Sequence, residues 1–145
     1  MPLVPRIVVD ASVILKWVLG SDREPDHGCA LRILDDWAAD RIELMVPSLW
    51  EYEVGNILGR ELRHEAFQKM MLLRNLGMIH EPLNEEMIGL CFQWMDQLAV
   101  TFYDASYLAL AVVLEGRLVT ADRRFAQRMA RPDRILLVSD YGKEG

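Results

Sequence analysis

Four carboxylates stand where a strand ends or a helix opens. Asp10 closes the β-branched run of "IVVDASVILKWVL", Glu53 lies in "PSLWEYEVGNILGREL", Asp104 in "VTFYDASYLALA" and Asp122 in "LVTADRRF". Like charges sharing a site repel and raise one another's pKa unless a cation intervenes. An oxygen-only set with no His or Cys beside it suits a hard divalent ion, Mg2+ or Mn2+, rather than zinc. The histidines stay outside the set. His27 at a helix start, His64 at a helix junction and His80 in a strand read as structural or surface residues.

Three of the four acids also have a plainer role. Asp10 and Asp122 are admissible helix N-caps, and taken separately each leaves cap and site equally open. Thr101 and Asp104 resemble a capping box. Yet Asp104 shares a helix face with Tyr107, three residues on, and that helix is otherwise strongly apolar, so an acid there must be exposed at the helix terminus or neutralised, as a bound cation would do. Ser48 and Glu51 form an S-x-x-E capping box, which gives Glu51 a structural task. Glu53 lacks one. It lies on the margin of the apolar stripe centred on Trp50, Val54, Ile57 and Leu58, with Asn56 one turn further along the same side. Glu53 is therefore the better candidate ligand.

The elements that must position these acids follow from periodicity. Strands are expected at 6–10, 42–47, 77–83, 116–122 and 134–140. Helices are expected at 12–19, 26–39, 48–62, 65–76, 84–98 and 102–115, with a seventh opening after Asp122. Gly116 reads as the residue that ends the sixth helix. Strands alternating with helices indicate an α/β fold with a mostly parallel sheet and helices on both faces. In the doubly wound order 3-2-1-4-5 the first and fourth strands are neighbours. The crevice outside their carboxyl ends then receives both Asp10 and Asp122.

Composition is consistent with this. The 145 residues, 52% hydrophobic and 26% charged, fit one domain over 1–145 with a core at about 6–138 and a short polar tail. No apolar run approaches the roughly 18 residues that cross a bilayer, and no secretory signal is seen. Cys29 and Cys91, both within helices, read as free thiols of a reducing cytoplasm. The net charge of −6 counts against a polyanionic partner, but residues 117–134 carry six arginines against two aspartates. Such a run is commonly a solvated helix face, yet local patches steer nucleic acids more than totals do.

In order and spacing, "VVDASVILKWVL", "VPSLWEYEVGNIL", "TFYDASYLALA" and "LVTADRRF" resemble the four signature segments of PIN-domain ribonucleases, above all the VapC toxins of toxin–antitoxin pairs. The resemblance runs from about Ile7 to Val138. It implies a three-layer α/β/α sandwich around a five-stranded parallel sheet in the order 3-2-1-4-5. It carries the family's acids onto Asp10, Glu53, Asp104 and Asp122, Glu53 being matched by its E-x-x-N spacing to Asn56. It carries the site-ordering hydroxyls onto Ser12 and Thr120. It further implies hydrolysis of RNA phosphodiester bonds with Mg2+ or Mn2+, a small antitoxin partner and a homodimer.

Two other classes compete. A non-catalytic PIN-like module would bind RNA or a protein without cutting it. A phosphoacceptor receiver domain needs an Asp ending the third strand and a Lys near the fifth, and "GMIHEPL" and "RILLVSD" supply neither. The least family-like stretch is the Met- and Leu-rich "MMLLRNLG", which bears on partner surfaces rather than on the acids. The second and fourth helices offer apolar faces, one for an antitoxin groove and the other for a dimer contact. The purified protein is expected to sediment as a dimer, and a clean monomer at high concentration would count against that.

Overall fold

The computed structural model describes residues 4–20 and 24–143. Its strands are β1 (Arg6–Val9), β2 (Glu43–Pro47), β3 (Ile79–Glu81), β4 (Arg117–Thr120) and β5 (Ile135–Leu137). Its helices are α1 (Ala11–Val18), α2 (His27–Ala38), α3 (Trp50–Glu61), α4 (Ala66–Asn75), α5 (Glu85–Gln97), α6 (Phe102–Val113) and α7 (Arg123–Met129). A 3-10 turn at Val138–Asp140 follows β5. All four strand pairings are parallel, in the order β3-β2-β1-β4-β5. This is the three-layer sandwich expected from the sequence.

The strands form where β-branched and aliphatic residues run uninterrupted, as parallel strands covered on both faces require. Val8, Val9, Leu44, Val46, Leu118 and Val119 are all fully buried. The crossover from β1 to β2 runs one way across the sheet, and that from β3 to β4 runs back. Right-handed connections therefore carry α1 and α2 to one face and α5 and α6 to the other. Helix α6 is the central one. Every residue from Ala105 to Ala111 is buried, and the helix packs on α5 and across β1, β2 and β4. β3 is shorter than its sequence signal, three residues at the sheet's edge.

Two local expectations are corrected. The Ser48–Glu51 capping box does not form. Leu49 is the N-cap and already has helical backbone angles, so Ser48 lies one residue too far out to cap. The Glu51 carboxylate pairs instead with Arg74 of α4 at 2.7 Å. Nor is Gly116 the left-handed residue that ends α6. That residue is Glu115, at φ 56°. Glu115 N–H donates to Val112 O at 3.1 Å and Gly116 N–H to Ala111 O at 2.8 Å, the paired bonds of a Schellman motif. Gly116 is needed for space. A Cβ placed on it would stand 2.4 Å from the backbone oxygen of Arg6.

The two positions should consequently respond in opposite senses. Gly116→Ala is expected to cost about 1–3 kcal/mol, because backbone cannot move aside as a side chain can. Glu115→Gly should gain up to about 1 kcal/mol by relieving the left-handed backbone. Urea denaturation of both variants checks this. Equal and small effects would mean that β1 yields at Arg6.

Candidate active site

β1 delivers Asp10 to the crevice beside β4, and Asp10 does cap α1. Its backbone is extended and its carboxylate accepts from Val13 N–H at 3.4 Å. The cap is the weakest of its contacts. Ser12 Oγ donates to Asp10 Oδ1 at 2.5 Å, and Thr120 Oγ1 donates to Asp10 Oδ2 at 2.5 Å. Each hydroxyl is itself oriented by a backbone N–H of the turn after β4. Ala121 N–H donates to Ser12 Oγ and Asp122 N–H to Thr120 Oγ1, both at 3.0 Å. With a backbone donor on one side, each hydroxyl proton points at Asp10. Both carboxylate oxygens are thereby fixed.

The other acids approach from three separate elements. Glu53 sits half-buried in the first turn of α3, where Tyr107 of α6 donates to its Oε1 at 2.6 Å. Asp104 opens α6, with its N–H donating to the hydroxyl of the N-cap Thr101 at 3.0 Å. Asp122 caps α7, accepting from Phe125 N–H at 3.0 Å. Thr120 is fully buried and Ser12 half-buried, while Asp104, Asp122 and Asn56 are exposed. The acids thus grade from half-buried Asp10 and Glu53 to a solvated rim.

Electrostatics couples them through Asp104. Burial pushes the Asp10 carboxyl up to about 6, against its hydroxyl and backbone hydrogen bonds, and the Asp104 charge adds to the rise. Burial also raises Glu53, with Tyr107 opposing and Asp104 reinforcing the shift. Asp104 reaches solvent, yet crowding around its carboxyl dehydrates it enough to raise its pKa. Asp122 adds to that rise, and Thr101 and Arg128 oppose it. The Tyr107 hydroxyl is driven far above its ordinary value, first by burial and then by its bond to Glu53. It therefore stays protonated and donating.

Among the described residues no group of three or more His, Cys, Asp or Glu side chains is gathered closely enough to cage a metal ion. A hard cation does not require such a cage. Mg2+ binds through one or two carboxylates and retains several waters. The donor chemistry fits that mode: oxygen ligands, carboxyl pKa values raised by burial and by one another, and no described cation paired with Asp10. Two of the histidines have structural partners, and His64 is exposed. His27 Nδ1 bonds Lys16 O at 2.6 Å, and His80 Nε2 accepts from the Trp50 indole at 2.9 Å.

Three features escaped the sequence reading. Tyr107 shares a helix face with Asp104, but its hydroxyl reaches Glu53. Arg128, one member of the arginine run, stands beside Asp104 and donates to Ala99 O at 2.7 Å. Tyr52 and Tyr103, each immediately before an acid, share a concavity with Glu53 and Asn56. That repeated Tyr-acid order was the available signal.

A family model described as PIN domain matches residues 7–130. The chain is 30% identical over 140 residues to "Ribonuclease VapC1" of Mycobacterium tuberculosis, covering 90% of this chain and 96% of that protein. Among solved structures it is similar to Mycobacterium tuberculosis VapC20, described as a sarcin-ricin loop cleaving toxin. That match has a TM-score of 0.63 and 20% identity, over 83% of this chain and 93% of that one. It is also similar to a toxin-antitoxin complex from Klebsiella pneumoniae, at a TM-score of 0.66 and 14% identity, over 91% of this chain and 97% of that one. At these identities the structural likeness is one of fold.

The Asp10 carboxyl carries a pH signature. Its folded pKa near 6 exceeds the ordinary 3.8, so its protonated form favours the folded state. That contribution is full below the ordinary value and is lost as pH rises through 6. In EDTA, Asp10→Asn should therefore gain stability over the parent between pH 4.5 and 7.5, by at most about 3 kcal/mol. Thermal unfolding of both proteins across this range checks it. A gap independent of pH would refute the burial of this charge.

Proposed function

This chain belongs to the PIN domain family, in its VapC-type toxin–antitoxin group, and from that premise we propose that it is a ribonuclease dependent on Mg2+, with Mn2+ as a substitute. The observation that carries the reading is the state of Asp10. A dehydrated carboxylate is held on both oxygens by hydroxyls, with Asp104 near enough to raise its pKa. Such an arrangement is costly unless a cation completes it.

Asp10 and Asp104 would hold the metal directly, and Glu53 and Asp122 directly or through waters. Bound there, the metal would polarise the scissile phosphate and lower the pKa of an attacking water. The protein's own contribution is orientation. Ser12 and Thr120 fix Asp10, and Tyr107 fixes one oxygen of Glu53. Thr101 and Arg128 hold back the pKa of Asp104, and Asn56 lies exposed beside Glu53. Arg124 and Arg128, exposed on α7, would set flanking phosphates without reading sequence.

The toxin role and its partners belong to the same proposal. Similar solved proteins include toxin-antitoxin complexes, which supports a small antitoxin as the partner of this chain. Helix α4 leaves Phe67 and Leu72 exposed, whereas α2 buries Ala30 and Ile33. An apolar surface for an antitoxin or a second copy is therefore better sought on α4.

A non-catalytic PIN-like module remains the alternative, favoured by the lack of a three-residue cage among the described residues. RNA binding without cleavage in Mn2+ would single it out. Under the nuclease reading, Asp10→Asn lowers Mg2+-dependent RNA cleavage by about 100-fold or more in a protein that stays folded. An Asn cap serves α1 about as well as Asp. Full cleavage by that variant would overturn the assignment. Cleavage assays with Mg2+ or EDTA, beside a thermal melt, decide it.

A further inference from the structure

Two tyrosines beside the acids stand outside the core, Tyr52 also bordering Phe67 and Met70 of α4. Tyr52 is 82% exposed and Tyr103 61% exposed. Among the described residues neither ring packs on another aromatic ring and neither hydroxyl has a hydrogen-bond partner. They are nonetheless not scattered. Together with Leu49, Glu53 and Asn56 they line one concavity of about 500 Å3, large enough for a nucleobase-sized group.

Helical geometry explains the placement. Tyr52 directly precedes Glu53 on α3, and Tyr103 directly precedes Asp104 on α6. One residue is a rotation of about 100°. On each helix, then, an acid turned toward the crevice puts the tyrosine before it on the rim. The Tyr107–Glu53 hydrogen bond ties α3 to α6 and keeps the two rims opposed.

We propose that Tyr52 and Tyr103 are a base-stacking platform, each ring receiving one unpaired base of the bound RNA. This rests on the ribonuclease reading and adds to it two substrate-positioning side chains. Sequence-tolerant stacking on aromatic faces is how unpaired nucleotides are held, whereas bases inside a duplex offer no face to stack. Charge points to the same occupant. Arg124 is exposed without an ion pair among the described residues, and Arg128 stands beside Asp104. Both cations lie on α7, just after Asp122, where a backbone leaving the acids would pass. An apolar peptide in the concavity would instead desolvate Glu53 and Asn56 without replacing their hydrogen bonds.

The test is binding, kept separate from cleavage. In Ca2+ and without Mg2+, the full-length protein is titrated with a mixed-sequence 12-nucleotide single-stranded RNA, with the same strand in a duplex, and with an abasic ribose-phosphate strand. Tyr52→Ala and Tyr103→Ala should each weaken single-strand binding about ten- to a hundredfold. They should leave the abasic strand and the duplex nearly unchanged. Tyr52→Phe and Tyr103→Phe should restore binding, because the ring and not the hydroxyl acts. Both side chains are exposed, so thermal melts should match the parent.

Unchanged single-strand binding in the alanine variants would overturn the platform. An equal loss on abasic RNA would do so as well. So would Tyr52→Ala altering only the sedimentation of the protein, which would make the ring a protein contact. Ring-dependent binding by a protein that never cleaves RNA would support the platform and sink the nuclease reading alone. Normal cleavage with ring-independent binding would do the reverse.

Discussion

Everything at this site hangs on how one half-buried carboxylate is kept. Asp10 ends β1, and its two oxygens are held by hydroxyls from α1 and β4. Those hydroxyls are in turn held by consecutive backbone N–H groups of the turn into α7. The arrangement is a short circuit of hydrogen bonds joining β1, α1, β4 and α7 around a single charge. It can close only if β1 and β4 are neighbours, as the sheet order provides. The fold thus supplies the adjacency, and the hydroxyls convert it into a fixed orientation. Much of the desolvation cost remains, as the raised pKa of Asp10 records. A site that stores such cost in one group is a common companion of function.

A second tie crosses the crevice. Tyr107 is anchored in the most buried helix of the molecule, and its hydroxyl fixes Glu53 on α3. The acids are therefore held by different means: Asp10 by the sheet, Glu53 by the central helix, Asp104 and Asp122 by their own helix caps. Asp10 and Glu53 are oriented by side-chain hydroxyls, and the rim pair retains solvent. That division suits a cation that keeps its waters better than a closed protein cage.

Much of this was legible in the sequence, and what was missed has physical reasons. The β-branched runs and apolar helical stripes locate the strands and helices, and the alternation fixes a doubly wound sheet. Asp10, Thr101 and Asp122 cap their helices as their types suggest. Ser48 failed because a capping box is defined by residue spacing, whereas capping depends on where helical backbone angles begin. Gly116 suggests backbone freedom at a helix end but is required for its lack of a Cβ beside Arg6, a contact between residues 110 positions apart. The Tyr107–Glu53 bond is equally long-range, and no local pattern announces it. The extent of β3 depended on pairing with β2 rather than on its own polar, mixed sequence.

Helix α6 joins the two ends of the molecule. At one end stand Asp104 and, a turn in, Tyr107. At the other, Glu115 and Gly116 are wedged against the start of β1. Twelve helical residues span about 18 Å, and with the seven from Ala105 to Ala111 buried they behave as a strut. A strut transmits displacement along its axis better than it absorbs it. The floor beneath Arg6 thereby acts as a depth stop for the helix. Changes on the face opposite the acids would shift the register of Asp104 and the Tyr107 hydroxyl together, relative to an Asp10 that the sheet holds still.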